Sequence, residues 1–116
     1  MARPANLYDL VPRRGVRWER GPEGRVTLLV PKFRNRLAVR WVVPLLAHPD
    51  VAVRLDEEGT LVWDRCDGGT TVLGIAEQLH RERGGDLESW VDRVGRFVAR
   101  LAHGNLVTME LPGEKR

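Results

Sequence analysis

Cys66, the only cysteine of the chain, stands beside Asp67 in the run Cys66-Asp67-Gly68-Gly69. As a nucleophile it would need a base within reach, yet no histidine lies near it in sequence. A single cysteine on the inward stripe of a helix is ordinarily a small buried hydrophobe. It also has no partner for an internal disulfide. His48, His80 and His103 fall on a loop and on two helix ends, and no Cys or His pair has the spacing of a zinc site. Glu57-Glu58 are adjacent carboxylates, but they open a helix, where negative charge offsets the macrodipole and acid or base work is not required. Gly68-Gly69 and Gly84-Gly85 do not form a strand-to-helix phosphate loop with a lysine behind it. The inventory therefore predicts no catalytic residue, no metal site and no cofactor, and leaves recognition of a partner as the chemistry to look for.

The informative segment for recognition is the last helix. Asp86 is its expected cap, Glu88 suits its first turn, His103 its last, and Gly104-Asn105 its end. With Trp90 at zero on a wheel of about 100° per residue, Leu101, Val94, Leu87, Val98 and Val91 fill an apolar arc. Phe97, Arg93 and Arg100 fall on the other side of Trp90, at roughly −20°, −60° and −80°. Trp90, Arg93, Phe97 and Arg100 thus form one stripe bordering the core. Aromatics beside arginines at a core edge suit a surface that takes apolar side chains and pairs with acidic ones. Two core aromatics rimmed by solvated arginines would give the same pattern.

The elements that must position this stripe can be read upstream. Residues 1–14 mix Pro, Asn, Asp and Arg without a period and are expected to be a flexible arm. Val16–Glu19 and Val26–Val30 read as strands joined by the turn Gly21-Pro22-Glu23-Gly24, a β-hairpin. Val51–Leu55 is a third strand, followed by a helix that Asp56 caps and Asp67-Gly68-Gly69 stops, with Leu55, Val62, Trp63 and Cys66 inward. Thr70 or Thr71 caps a second helix whose inner face is Val72, Ile75, Ala76 and Leu79, ended by Gly84-Gly85. A last strand is expected at Leu106–Met109, before a frayed tail at 111–116. The reading is an α+β chain with a small three-stranded antiparallel sheet followed by three helices, a winged helix-turn-helix, in a single domain over 15–110.

Between the second and third strands lies a basic insert at 32–50. Leu37, Trp41, Val42, Leu45 and Leu46 fall near helical spacing there, among Arg34, Arg36 and Arg40, with Pro44 interrupting. It reads as a short amphipathic helix that covers the chain's own core, and Trp41, Val42, Leu45 and Leu46 would also suit the interface of a homodimer. With 116 residues, 42% apolar and 30% charged, the composition is that of one small globular domain. The longest apolar run, Trp41–Ala47, is broken by Pro44 and falls far short of the roughly 20 residues a bilayer requires. With no signal-like amino terminus and no disulfide, the expected location is the cytoplasm. A formal charge of +3 favours acidic partners without naming one.

From Leu55 to Ile75 the chain resembles the PqqD family. The residues that carry the resemblance are Leu55-Asp56, Trp63, Cys66-Asp67-Gly68, Thr71-Val72 and Ile75. Pro12–Arg17 and Val26–Pro31 are similar to the start of that family, and the final helix with Leu106-Val107 falls where it ends. The chain departs from the family where members turn directly from the second strand to the third and it carries the insert instead. The resemblance implies the RiPP recognition element fold, a winged helix-turn-helix. It also implies a non-catalytic chaperone that binds the leader of a ribosomally made precursor peptide and presents it to a radical SAM or other modifying enzyme, as in PQQ biosynthesis or a related pathway. In that family the leader adds as an antiparallel strand between the third strand and the third helix. Carried onto this chain, the expected peptide-binding residues are Val51, Val53 and Arg54 on the strand, with Trp90, Arg93, Phe97 and Arg100 on the helix.

A winged helix-turn-helix with positive charge is also a DNA-binding plan, and a DNA-binding regulator is the alternative reading. A recognition helix needs exposed donors at its amino-terminal end. The last helix instead begins Asp86-Leu87-Glu88-Ser89, and the second would expose Glu77, Gln78, His80 and Arg81. Both are poor sets for phosphates, although Lys32, Arg34, Arg36 and Arg40 could touch a backbone. These residues thus argue against nucleic acid, and the resemblance argues for a peptide.

Overall fold

The computed structural model describes residues 6–31 and 50–112. The basic insert, with its expected helix and dimer patch, lies outside the described residues except for Asp50, as do residues 1–5 and 113–116. The chain is α+β. After a 3-10 turn at Leu7–Asp9 come β1 (Val11–Arg14), β2 (Arg17–Arg20), β3 (Val26–Pro31), β4 (Asp50–Arg54), α1 (Glu57–Asp64), α2 (Val72–Arg83), α3 (Leu87–His103) and β5 (Val107–Glu110). The strands make two antiparallel sheets, β1-β5 and β2-β3-β4. The chain divides into two compact units, Val16–Thr60 and the pair of segments Met1–Gly15 and Leu61–Arg116.

In the unit Val16–Thr60, β2 and β3 form the hairpin expected from their β-rich runs, with Trp18 opposite Leu28 and Arg20 opposite Val26. Gly24 closes the turn at φ 84°, a backbone angle that side chains resist, while the Gly21 N–H donates to the Arg25 carbonyl at 2.8 Å. β4 pairs with the far side of β3, Leu28 opposite Val53 and Thr27 opposite Arg54. Since side chains alternate between faces, Trp18, Leu28 and Val53 share one face, and Glu19, Thr27 and Arg54 the other. Val26 and Leu28 are fully buried. Beyond β4 the Leu55 N–H donates to the Val26 carbonyl at 2.9 Å. Asp56 then caps α1, its Oδ1 accepting from the Gly59 N–H at 2.7 Å. The Thr60 hydroxyl in turn accepts from the Val26 N–H, so no buried donor is left there without a partner.

In the other unit the three expected caps and stops operate as local chemistry dictates. Thr71 Oγ1 accepts from the Gly74 N–H at the start of α2, and Gly84 ends it at φ 74°. Asp86 Oδ2 accepts from the Ser89 N–H at the start of α3. Val72, Ile75, Ala76 and Leu79 of α2 are fully buried, as is Val98 of α3, and α2 packs on α3. Each of these side chains larger than alanine contributes about 1.5–3 kcal/mol by leaving water. Two expectations are corrected. α1 ends at Asp64, and Cys66 reaches the core from the turn that follows, where its N–H donates to the Trp63 carbonyl. Within 1–14, Val11–Arg14 is no flexible arm but β1, paired with β5 from Val11 opposite Glu110 to Arg14 opposite Val107. Pro12 breaks any alternation and the partner strand lies at the far end of the sequence, so no local pattern announced it.

The 3-10 turn before β1 is seated as well. A Cβ added to Gly95 would lie 2.8 Å from the Tyr8 ring, so the absence of a side chain in mid-helix is what admits Tyr8 against α3. The Leu10 carbonyl, next along the chain, accepts from the Val72 N–H at 2.9 Å.

Candidate functional site

β4 is an edge strand: among the described residues it pairs only with β3. Val51-Ala52-Val53 forms a strand because β-branched side chains fit the pleat. Along it the side chains from Val51 to Arg54 are all exposed, with Val51 at 45% and Val53 at 37%. Exposed apolar side chains beside unpaired backbone donors and acceptors are a template for another strand. Its two faces differ. A strand laid along β4 would place alternate side chains beside Val51 and Val53 on one face, and beside Ala52 and Arg54 on the other.

On α3 the structure brings Trp90 and Arg93 together. Trp90 is 6% exposed, and its indole N–H donates to the Gly84 carbonyl at 2.7 Å, which fixes the ring. The Arg93 guanidinium lies over that ring, 4.2 Å from its centroid, and its Nε donates to the Ser89 carbonyl at 3.4 Å. Such a stack is worth about 0.5–1 kcal/mol at an exposed site. Trp90 is therefore mainly a support, and the charge it holds in place is the surface feature. Phe97 is half-buried and Arg100 exposed. The opposite flank of the helix, at Gly95, is occupied by Tyr8.

The Cys66-Asp67-Gly68 run has a different use. Cys66 is fully buried, and its Sγ donates to the Val62 carbonyl at 3.3 Å. Burial pushes the thiol up from 9.0 to about 12, aided by the charges of Asp67 and Asp64 and opposed by that of Arg14. At neutral pH it is a protonated hydrophobe. The backbone around it is stitched to β1: the Arg14 N–H donates to the Cys66 carbonyl at 2.9 Å, and the Gly68 N–H to the Pro12 carbonyl at 3.0 Å. Gly68 has φ 81°, and a Cβ there would collide with the Arg13 guanidinium. That guanidinium runs on to the buried Glu110 carboxylate, Nε to Oε2 at 3.0 Å and Nη2 to Oε1 at 3.4 Å. The Arg13–Glu110 pair was not foreseen; the glycine after Asp67 was the only trace of it in the sequence. Arg25 was missed likewise. At the end of the β2–β3 turn it joins Arg54 in lining a polar recess.

Among the described residues no group of three or more His, Cys, Asp or Glu could hold a metal ion, and no helix is long and apolar enough to cross a membrane. The model of a protein family, described as Coenzyme PQQ synthesis protein D, matches residues 45–107, more than half of the chain. The chain belongs to the PqqD family. PqqD proteins are non-catalytic accessory proteins of PQQ biosynthesis, a pathway in which they act generally with a precursor peptide and a radical SAM enzyme. The match spans β4, all three helices and the first residue of β5. It starts inside the segment read as an insert and does not include the upstream strands on which the resemblance was also read. Comparison with curated proteins and with solved structures finds no significant match. The PqqD match gives the DNA-binding alternative no support.

Proposed function

We propose that this PqqD-family protein has the winged helix-turn-helix of a RiPP recognition element and binds the leader of a ribosomally made precursor peptide for a radical SAM enzyme to modify. The observation that carries the proposal is β4, an edge strand exposed on both faces in a family that serves a peptide-modifying pathway. The leader pairs with β4 through its backbone, which supplies affinity with little demand on sequence. Selectivity comes from side chains: Val51, Val53 and Arg54 on the strand, and Arg93, Phe97 and Arg100 on α3, with Trp90 holding Arg93. Guanidinium groups beside a half-buried aromatic favour a leader that is both apolar and acidic.

An NMR titration tests this reading. The isotope-labelled full chain is titrated with the short peptide encoded nearest to it, and separately with a duplex DNA. The expected result is shifts at Val51–Arg54 and at Arg93, Phe97 and Arg100 with the peptide, and none with DNA. Charge reversal at Arg93 and Arg100 is expected to weaken peptide binding about tenfold, and the same change at Arg81 and Arg83 much less. Equal effects at the two pairs, or shifts with DNA alone, would overturn the proposal.

A further inference from the structure

Resting on the strand-addition reading, we infer that the recess between the Gly21–Arg25 turn and Arg54 is a carboxylate subsite, which takes an acidic side chain from the strand added to β4. The recess has a volume of about 310 Å³ and is lined by Gly21, Pro22, Glu23, Arg25, Thr27 and Arg54. Three observations point to its ligand.

The first is register. Thr27 and Arg54 are directly opposed on β3 and β4, so the recess lies on the sheet face that carries Arg54, and Arg54, on the edge strand, is its wall nearest to a further strand. A side chain of that strand opposite Arg54 falls on the same face. The second is charge. The Arg25 and Arg54 side chains have no hydrogen-bond or ion-pair partner among the described residues, and both residues are exposed. Glu23 shares the lining without an ion pair to either, so two guanidinium groups and one carboxylate leave one net positive charge. That matches a single carboxylate better than a doubly charged group. The third is rigidity. The turn is closed by the Gly21 and Gly24 N–H groups, which donate to the Arg25 and Gly21 carbonyls, and the Arg20 Nη1 donates to the Gly24 carbonyl at 3.0 Å. The wall that presents Arg25 is therefore in place before a peptide arrives.

The two faces of β4 then read different chemistry from one strand. Val51 and Val53 take apolar side chains, and the recess takes an acidic one at an alternate position. The preference is set by spacing as well as by composition.

Two dye-labelled, blocked octapeptides test the inference, one alternating valine with glutamate and the other valine with glutamine. Their binding to the full chain is followed by fluorescence anisotropy at moderate salt. The glutamate peptide is expected to bind about fivefold more tightly, an advantage of the size measured for exposed ion pairs. That ratio is expected to fall at least twofold in Arg25→Gln and in Arg54→Gln. Both peptides binding equally to the wild-type chain would overturn the subsite and leave strand addition standing. A ratio that persists in both variants would mean that the charge is read elsewhere, and overturns it too. Binding of neither peptide would bring down strand addition, and the subsite with it.

Discussion

Between Leu55 and Ile75, the side chains that carry the family signature are turned inward or bonded to backbone. Leu55, Trp63, Cys66 and Ile75 are buried, Asp56 and Thr71 cap helices, and Gly68 leaves room for the Arg13 guanidinium. Along the outer flank of α3 the reverse holds: Arg93 and Arg100 are exposed, and Arg93 rests on a ring. The first region decides whether the chain folds, and the second has little to do with folding. The residues that carry the resemblance between Leu55 and Ile75 are thus ones that would not touch a partner.

The comparison can be broken or sharpened by substitution. The largest effect is expected for Trp63→Ala, which empties a fully buried site and should cost about 4 kcal/mol in the urea unfolding of the full chain. Gly68→Ala should follow at about 3 kcal/mol, because it strains the backbone and displaces Arg13 from the buried Glu110. A loss below about 1 kcal/mol in urea would show that the stitching of this segment to β1 is dispensable.

Cys66 gives a smaller, pH-dependent effect. The folded protein keeps the thiol proton up to about pH 12, whereas the unfolded chain loses it from about pH 9. The stability contributed by the neutral thiol is therefore fully present below pH 9 and lost as pH rises towards 12. Melting temperatures of the wild type and of Cys66→Ala, compared across that range, should converge or cross with rising pH, and a parallel course would contradict the burial. Smallest of all should be the stability change in Arg93→Glu with Arg100→Glu, about 1 kcal/mol in the same urea assay, because it removes the stack on Trp90 and a cation from the last turn of α3. These are the substitutions expected to weaken peptide binding most, so a large loss of stability would erase the distinction between the two regions.

What was legible in the sequence was what is decided within a few residues. Asp56, Thr71 and Asp86 cap because a carboxylate or hydroxyl can reach the amides of the next turn, and the hairpin follows from its turn residues and β-branched runs. The angular neighbourhood of Trp90 and Arg93 was legible for the same reason. Depth was not. A wheel gives direction, so Trp90 was expected at a rim and is 6% exposed, whereas Leu87 was expected in the core and is exposed at the first residue of α3. Contacts across the length of the chain were also hidden: β1 with β5, Arg13 with Glu110 and Tyr8 with Gly95 each join residues that no local pattern relates. The recess at Arg25 and Arg54 belongs to this group, since it exists only once β4 is laid beside β3.

The pairing of β1 with β5 has a mechanical consequence. Val11 lies opposite Glu110, so the chain enters and leaves this small sheet at the same end. A force applied through the two flanks would load the hydrogen bonds one after another, as a zip is opened, rather than all together in shear. Tension should therefore first free Tyr8 and the Leu10 carbonyl from α3 and α2, and then part these two strands at low force and release Arg13 from Glu110.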